Sequence, residues 1–178
     1  MARLASPPAA LESWARRRRR ARQLLERHAF AAQMLGLYAA LLDVQERAFL
    51  ATLDDRPAPA GVPDYVATRV MGDIADAAVA AGPPALAAAV PELMREGTAE
   101  RFVAAWLAGE RQEPVREFLA RAAAGPVLEA LGPAAGAACR PAATEIACPR
   151  CGGLPQVSYL DEAGEALVSA PRRLACSR

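Results

Sequence analysis

Histidine and aromatic residues are scarce in this 178-residue sequence, which has one histidine and 5% aromatic residues. The sequence has one histidine and no glycine-rich phosphate loop. The residue patterns common in hydrolases and nucleotide-binding enzymes are therefore not visible in it. That histidine, His28, falls on the apolar stripe of a predicted helix. We therefore expect it to have a structural role rather than to bind metal or act in catalysis.

An excess of one charge and a long apolar run are also missing. The 21 basic and 20 acidic residues leave a net charge of +1, which does not support a whole-molecule attraction to nucleic acid. The longest uncharged apolar run, residues 30–42, has thirteen residues, fewer than the ~20 that span a bilayer. No export signal is visible near the start. We therefore expect no membrane span, a cytoplasmic location and reduced cysteines.

Alanine-rich helical patterns cover most of the chain and predict a mainly α protein. We expect residues 1–10 to be disordered, residues 11–144 to form a multi-helix bundle, and residues 145–178 to form a small β module. The predicted helices run over residues 11–28 and 30–49, from Asp64 to Val79, over 86–94, from Thr98, and from Pro114. Gly125-Pro126 is expected to break the last of them, and residues 132–145 are a linker by composition.

The second helix has the clearest apolar face. Its buried face is predicted to include these residues, which step by three and four: Phe30, Met34, Leu37, Leu41, Val44 and Ala48. Four further large residues, Leu35, Tyr38, Leu42 and Phe49, widen that face. We therefore expect this helix to be broadly buried, as at the centre of a bundle.

Five successive arginines, Arg16–Arg20, lie in the first helix and, at about 100° per residue, cover every side of it. Arg18 is expected beside the apolar stripe that holds Trp14 and Ala21, with its guanidinium reaching outward. The candidates for binding a partner are the other four, Arg16, Arg17, Arg19 and Arg20. A solvated helix face, with Glu12 and Glu26 nearby, is the plain alternative. A nucleic-acid ligand is a third, disfavoured because Trp14 is the one interleaved aromatic residue.

The stretch Cys148-Pro-Arg-Cys151-Gly-Gly has the form of a metal knuckle, because two thiolates separated by two residues can chelate one ion. The predicted strands at 156–160 and 166–170 would return the chain to it, and Cys176 follows them. This order is typical of a zinc ribbon or a rubredoxin-like module. A thioredoxin-like redox pair and a pair without special role are the alternatives.

Three thiolates, Cys148, Cys151 and Cys176, are the predicted metal ligands, and the metal is iron or zinc, since four-thiolate sites accept both. Cys176 would begin a second Cys-x-x-Cys pair, whose second cysteine would fall one position after Arg178. We therefore expect the module to be interrupted and its metal site to be incomplete. Cys139 lies in the predicted linker. It is either an additional ligand or, as lone cysteines more often are, a small buried apolar side chain.

The order of these parts resembles the formate dehydrogenase accessory protein family, FdhE. The resemblance rests on "SWARRRRRARQLLERH" followed by "LGLYAALLDVQERAFL", and then on "CPRCGGLPQVSYL" and "RRLACS", so it extends along the whole chain. Cys148, Cys151 and Cys176 match family ligand positions, whereas Cys139 matches none. The chain departs from the family pattern by stopping inside the first cysteine module.

The resemblance implies a helical N-terminal domain, tandem rubredoxin-like modules and an association with iron. It also implies a non-enzymatic cytoplasmic factor that binds the catalytic subunit of molybdenum- or tungsten-dependent formate dehydrogenase during maturation. The sequence is compatible with a homodimer. The competing hypothesis is a zinc-ribbon protein that binds nucleic acid through Arg16–Arg20, whose affinity would fall steeply with salt.

Overall fold

The computed structural model describes residues 7–139, residue 148 and the segments 155–160 and 172–176. Seven α-helices lie in these ranges: α1 Pro7–Arg27, α2 Ala32–Asp55, α3 Val62–Arg69, α4 Met71–Ala81, α5 Pro84–Arg95, α6 Ala99–Leu107 and α7 Pro114–Leu131. Three 3-10 helices cover Ala29–Ala31, Pro59–Gly61 and Gly132–Ala138, and two strands cover β1 Pro155–Leu160 and β2 Arg172–Cys176. The prediction of a mainly helical chain is confirmed.

Helix α1 begins earlier than the sequence pattern predicts. It starts at Pro7 rather than at Leu11, so residues 7–10 of the segment expected to be disordered are helical. Proline suits a first helical turn because its missing N–H would have no partner there in any case. Residues 1–6 lie outside the described part of the chain.

Helices α2 and α7 form the centre of the bundle. Helix α7 contacts α2, α3, α4, α5 and α6, while α2 contacts α1, α4 and α7. The main core cluster joins valine, leucine and alanine side chains from these helices, with Met71, Phe102 and Trp106 as its large members. A second cluster, which holds α1 in place, contains Trp14, Ala21, Leu42, Phe49 and Ala130. Burying these side chains drives the packing of the helices, as apolar area is removed from water.

The predicted buried face of α2 is confirmed from Leu37 onward, apart from Tyr38, which is 41% exposed, and is wrong before Leu37. Leu37, Leu41, Val44 and Ala48 are buried. Phe30, in the 3-10 helix before α2, is 92% exposed, and Met34 in the first turn of α2 is 58% exposed. Their spacing aligns both residues with the buried face of α2. None of the described neighbouring helices covers the N-terminal end of that face.

The helix predicted from Asp64 to Val79 is two helices, because the backbone bends at Val70. Val70 has φ −122° and ψ −38°, outside the ideal helical range, and Asp64 lies inside the first turn of α3, which begins at Val62. Hydrogen bonds still cross the bend, from the Val70 N–H to the Val66 carbonyl at 3.2 Å and from the Ile74 N–H to the Val70 carbonyl at 3.3 Å. Val66 and Ile74, on either side of Val70, are both fully buried in one core.

Helix α7 continues through Pro126, so the predicted break at Gly125-Pro126 is wrong. Proline has no N–H to donate to the carbonyl four residues earlier, which here belongs to Ala122. The side chain of Gln45 on α2 supplies the missing donor, since its Nε2 lies 2.8 Å from the Ala122 carbonyl oxygen. A contact from another helix thus replaces the bond that the proline removes.

The first half of the predicted linker packs against the helices. Residues 132–138 form a 3-10 helix with Ala135 buried, and Cys139 after it belongs to the main core. Residues 140–147, where the domain boundary was predicted, lie outside the described residues.

Strand β1 covers the first predicted strand and pairs antiparallel with β2, which places Leu160 opposite Arg172 and Pro155 opposite Cys176. The strand predicted at 166–170 lies outside the described residues.

Candidate functional site

A cavity of about 760 Å³ lies between α1, α2, α6, α7 and the 3-10 helix after α7. Its size falls within the range of about 300–1,000 Å³ typical of small-ligand sites. The aromatic residues of its wall are Trp14, Tyr38, Trp106 and Phe118. The polar residues of its wall are Arg17, Gln45, Arg121 and Glu129. An apolar surface with a few polar groups is the usual composition of a binding site.

Arg17 joins α1 to α7 at the wall of this cavity. Its Nη1 and Nη2 donate to the two carboxylate oxygens of Glu129 at 3.0 and 2.8 Å, which is a bidentate pair. The guanidinium also lies over the indole of Trp14, 4.3 Å from the ring centroid. Arg17 was predicted as a candidate for partner binding, and the structure shows that it already contacts two residues of its own chain.

Trp14 provides an indole N–H that is buried without an acceptor among the described residues. The side chain is 1% exposed, its Nε1 makes no hydrogen bond, and the indole forms part of the cavity wall. The indole ring of Trp14 also packs against the ring of Phe49, with 5.8 Å between the ring centroids. A buried donor without an acceptor costs about 1–3 kcal/mol.

Cys139 and Cys148 both line the cavity. Cys139 is 7% exposed and belongs to the main core cluster, and Cys148 is partly buried and packs against the same cluster. Cys148 is the first cysteine of the predicted metal knuckle. The start of the cysteine module therefore lies against the helical bundle rather than apart from it.

The other two predicted ligands are described less fully. Cys151 lies outside the described residues. Cys176 is the last residue of β2, and its backbone pairs with Pro155, four residues after Cys151 in the sequence. Cys176 was expected after the second strand of the hairpin, whereas it is the last residue of β2. The assignment of Cys148, Cys151 and Cys176 as ligands stays a prediction.

No cluster of three histidine, cysteine, aspartate or glutamate side chains that could hold a metal occurs within the described residues. The wall of the cavity includes two cysteines, Cys139 and Cys148. Thiolates are soft ligands that suit zinc and iron, and an N–H group can offset their charge. Two cysteines are fewer than the four ligands of a closed structural zinc site, so a metal at this end of the cavity stays a prediction.

The remaining arginines of the run divide between the two sides of α1. Arg18 forms an ion pair with Glu46 of α2 and lies 3.9 Å from Asp43, as expected for the arginine beside the apolar stripe. Arg16, Arg19 and Arg20 are exposed, and no acidic side chain of the described residues pairs with them. Together with Arg27, also exposed, they form what we call the outer arginine face. This face extends from Arg16 to Arg27, and the exposed acids Glu12 and Glu26 lie on the same helix.

The turn between α1 and α2 holds His28. Its ring packs edge-on against Phe30, with 5.7 Å between the ring centroids and an interplanar angle of 75°. This contact agrees with the structural role predicted for His28. Phe30, Met34 and Tyr38 form an exposed apolar stripe that leads towards the cavity, since Tyr38 also lines it. The sequence pattern placed all three in the core and so missed this surface.

Tyr65 has a shifted pKa but lies away from the cavity. Burial is the main reason that the pKa of its phenol is raised above the ordinary value. Its hydroxyl donates to the Asp55 carboxylate at 2.9 Å and so links α3 to the end of α2. This contact supports the fold rather than the candidate site.

No α-helix of the described residues is both long enough and apolar enough to cross a membrane. Comparison of the chain with protein-family models, with curated proteins and with solved structures finds no match, so the candidate site stands on its own residues and geometry.

Proposed function

We propose that this chain is a non-enzymatic accessory factor that binds the catalytic subunit of a formate dehydrogenase in the cytoplasm. The client and its setting come from the sequence resemblance alone. The surface that would bind the client is argued below from the structure. In this proposal Cys148, Cys151 and Cys176 hold iron or zinc in a rubredoxin-like module.

The observation that carries the proposal is the outer arginine face. Arg17 and Arg18 are paired with acids of the fold, whereas Arg16, Arg19 and Arg20 point away from the bundle without a described acidic partner. Holding several like charges side by side on one helix costs self-repulsion and gives no described intramolecular contact in return. An acidic surface on a protein partner would neutralise that charge and steer the encounter.

The position of Cys148 suggests how the metal would influence docking. This residue packs against the helical core and lines the cavity beside Arg17 and Glu129. A small β module buries too little apolar area to be stable alone, so metal binding contributes to its folding free energy. Loading the metal would then secure the module against the bundle, at the cavity wall that α1 helps to form.

The test is a binding assay between the chain and the purified catalytic subunit. Reversing the charges of Arg16, Arg19 and Arg20 with glutamate should abolish binding. A matched control reverses three other exposed arginines, Arg95, Arg101 and Arg111, which lie outside α1. The control should bind like the unaltered chain and should separate a local docking surface from a general effect of net charge.

Two results would contradict the proposal. If the unaltered chain does not bind the catalytic subunit, the proposed client is wrong. If both triple variants lose binding equally, the outer arginine face is not the docking surface.

The nucleic-acid hypothesis uses the same arginines. The unaltered chain and the same triple variants distinguish it from the proposal. It predicts that the unaltered chain shifts DNA or RNA in a gel at low salt and releases it as salt rises. The net charge of +1 argues against it. Retention of nucleic acid that is lost in the Arg16, Arg19 and Arg20 variant would favour it.

A further inference from the structure

The apolar stripe at the N-terminal end of α2 places three large exposed side chains in a row. Phe30 is 92% exposed, Met34 is 58% exposed and Tyr38 is 41% exposed. Steps of four residues keep them near one side of the helix. The other exposed large apolar residues of the described ranges lie on three different elements: Leu50, Val79 and Val157. A contiguous exposed apolar surface, unlike such scattered residues, marks a binding site for another molecule.

The apolar stripe prolongs a line of α2 that α7 covers further along. The members of this line, at steps of four and three residues, are Met34, Tyr38, Leu41 and Gln45. At Gln45 the line contacts α7, because Gln45 Nε2 donates to the Ala122 carbonyl oxygen at 2.8 Å. Tyr38 lines the cavity beside α7, and the line before it is covered by none of the described helices. The N-terminal end of α2 therefore has room for one more helix.

A row of residues on α1 runs beside the apolar stripe. At steps of three and four residues, this row consists of Arg17, Arg20, Leu24 and Arg27. One end of the row meets the cavity, since Arg17 and Tyr38 both line it. The other end meets the start of the stripe, since α1 ends at Arg27 and the ring of His28 packs against Phe30. We call the surface between the row and the stripe the α1–α2 groove. The exposed acid Glu26 lies about 100° around the helix from Arg27, outside the row.

The border of the α1–α2 groove is positively charged. Arg20 and Arg27 are exposed, and no acidic side chain of the described ranges forms an ion pair with them. On the side of α7, the exposed Arg121 lines the cavity. The acid at the cavity, Glu129, is held by Arg17 through two hydrogen bonds. A partner that covers the stripe would therefore meet positive charge at its edges, and acidic side chains there would be complementary.

We propose that the α1–α2 groove binds an amphipathic α-helix of a protein partner, whose apolar face covers the apolar stripe and whose acidic edge faces Arg20 and Arg27. Helices bind grooves of this kind through apolar anchors spaced by three and four residues. A flat lipid surface fits less well, because Tyr38 belongs to the wall of a concave cavity.

The identity of the partner rests on the proposed function, in which the helix belongs to the catalytic subunit of formate dehydrogenase. The inference adds the chemistry of the contact to that proposal. The outer arginine face attracts the client from a distance, whereas the buried apolar contact on the stripe supplies most of the affinity.

The first experiment uses the full chain and two designed helical peptides, so it does not depend on the client. The two peptides share one leucine face, and the positions beside that face are glutamate in one peptide and lysine in the other. We expect calorimetry to show that the glutamate peptide binds the unaltered chain and that the lysine peptide does not. Absence of binding by the glutamate peptide, or equal binding of the two peptides, overturns the inference.

Two double variants locate the binding of the glutamate peptide. Phe30→Gln with Met34→Gln removes two apolar anchors without changing the charge, and we expect binding at least about 10-fold weaker, the usual cost of losing an anchor. Leu50→Gln with Val79→Gln changes two exposed apolar residues elsewhere and should bind like the unaltered chain. Equal affinities in the two variants overturn the inference. If the first variant loses the helical circular dichroism of the unaltered chain, Met34→Gln alone takes its place.

A second pair of variants tests the charged border. Arg20→Gln with Arg27→Gln should weaken binding of the glutamate peptide by roughly 5-fold at low salt, as expected for exposed ion pairs. Arg101→Gln with Arg111→Gln removes two exposed arginines outside α1 and should leave the affinity unchanged. Equal losses in both variants overturn the acidic edge of the proposed helix.

The catalytic subunit of formate dehydrogenase and vesicles of phosphatidylglycerol are then measured with the same proteins. If the chain binds the glutamate peptide but not the subunit, the proposed client is wrong and the groove remains. If the chain binds the subunit but not the glutamate peptide, the inference is wrong and the proposed function remains. Vesicle binding that is lost in the variant of Phe30 and Met34, without binding of the peptide, would assign the groove to lipid instead.

Discussion

The two sides of helix α1 use the same residue type for different purposes. At about 100° per residue, Arg17 and Arg18 fall on either side of the buried Trp14 and Ala21, and each reaches an acid on a different helix, Glu129 or Glu46. Arg16, Arg19 and Arg20 fall on the opposite side and are exposed. The inner side has partners for its arginines, and the outer side has none among the described residues.

The difference shows that position on the helix, rather than residue identity, decides what an arginine contributes. An exposed charge is screened by water and salt and adds little to stability. A partly buried guanidinium with a fixed carboxylate and an aromatic ring loses less entropy for each hydrogen bond and gains more. The inner side should therefore determine stability, and the outer side should determine binding.

The largest expected effect comes from the inner side. Trp14→Ala removes a buried indole that packs on Phe49 and supports Arg17. We expect the free energy of unfolding to fall by about 3–5 kcal/mol, as for other large-to-small core changes. Chemical denaturation followed by circular dichroism measures it. Arg16→Ala, two residues away on the outer side, is the control, and an equal loss in both would contradict the comparison.

The next effect concerns the polar contact between α2 and α7. Gln45→Leu leaves the carbonyl of Ala122 without a donor, and we expect a loss of about 1–3 kcal/mol in the free energy of unfolding. In a Pro126→Ala background the restored backbone N–H at position 126 can donate to that carbonyl. Gln45→Leu should then cost less than half as much. An equal cost in both backgrounds would show that Gln45 does not replace the bond lost at Pro126.

A smaller effect is expected for the ion pair of the inner side. In a double-mutant cycle of Arg17→Gln and Glu129→Gln, we expect a coupling energy of about 1 kcal/mol, because both side chains remain 35% exposed. The coupling should shrink when salt is added. A coupling near zero at low salt would show that the pair of Arg17 and Glu129 adds no more to stability than an exposed arginine does.

The smallest effect on stability is expected on the outer side. Changing Arg16, Arg19 and Arg20 together to glutamine should alter the free energy of unfolding by less than about 0.5 kcal/mol. The same variant should lose affinity for the formate dehydrogenase catalytic subunit. Chemical denaturation measures the stability of the variant, and calorimetry measures its affinity for the catalytic subunit. The two parts of the prediction are therefore tested independently. A strongly destabilised triple variant would remove the distinction between the two sides.

The sequence pattern predicted the elements better than it predicted their ends. The period of α2 correctly placed Leu37, Leu41 and Ala48 in the core. It failed for Phe30 and Met34, because a periodic pattern does not show how far the neighbouring helices extend. Two other boundaries also differ from the prediction: α1 begins at Pro7, and the helix predicted from Asp64 to Val79 is divided at Val70.

The sequence made one prediction about a functional site, and no described contact tests it. The spacing of Cys148 and Cys151 indicated metal chemistry, and the first predicted strand lies within β1. The ligand assignment itself stays a prediction. The cavity and its buried donor could not be predicted, since Trp14, Gln45 and Cys139 come from three separate parts of the chain.

By itself, the sequence determined that α1 must present arginine on every side and that one of the five, Arg18, should lie beside its apolar stripe, because an α-helix turns by a constant angle at each residue. Only the tertiary structure decided which acid each inner arginine meets, whether α7 continues past Pro126, and which two cysteines line the same cavity. The partners of Gln45 and Arg17 lie 77 and 112 residues away along the chain. No local pattern carries information over such separations, and only the packing of α1, α2 and α7 brings these groups within hydrogen-bonding distance.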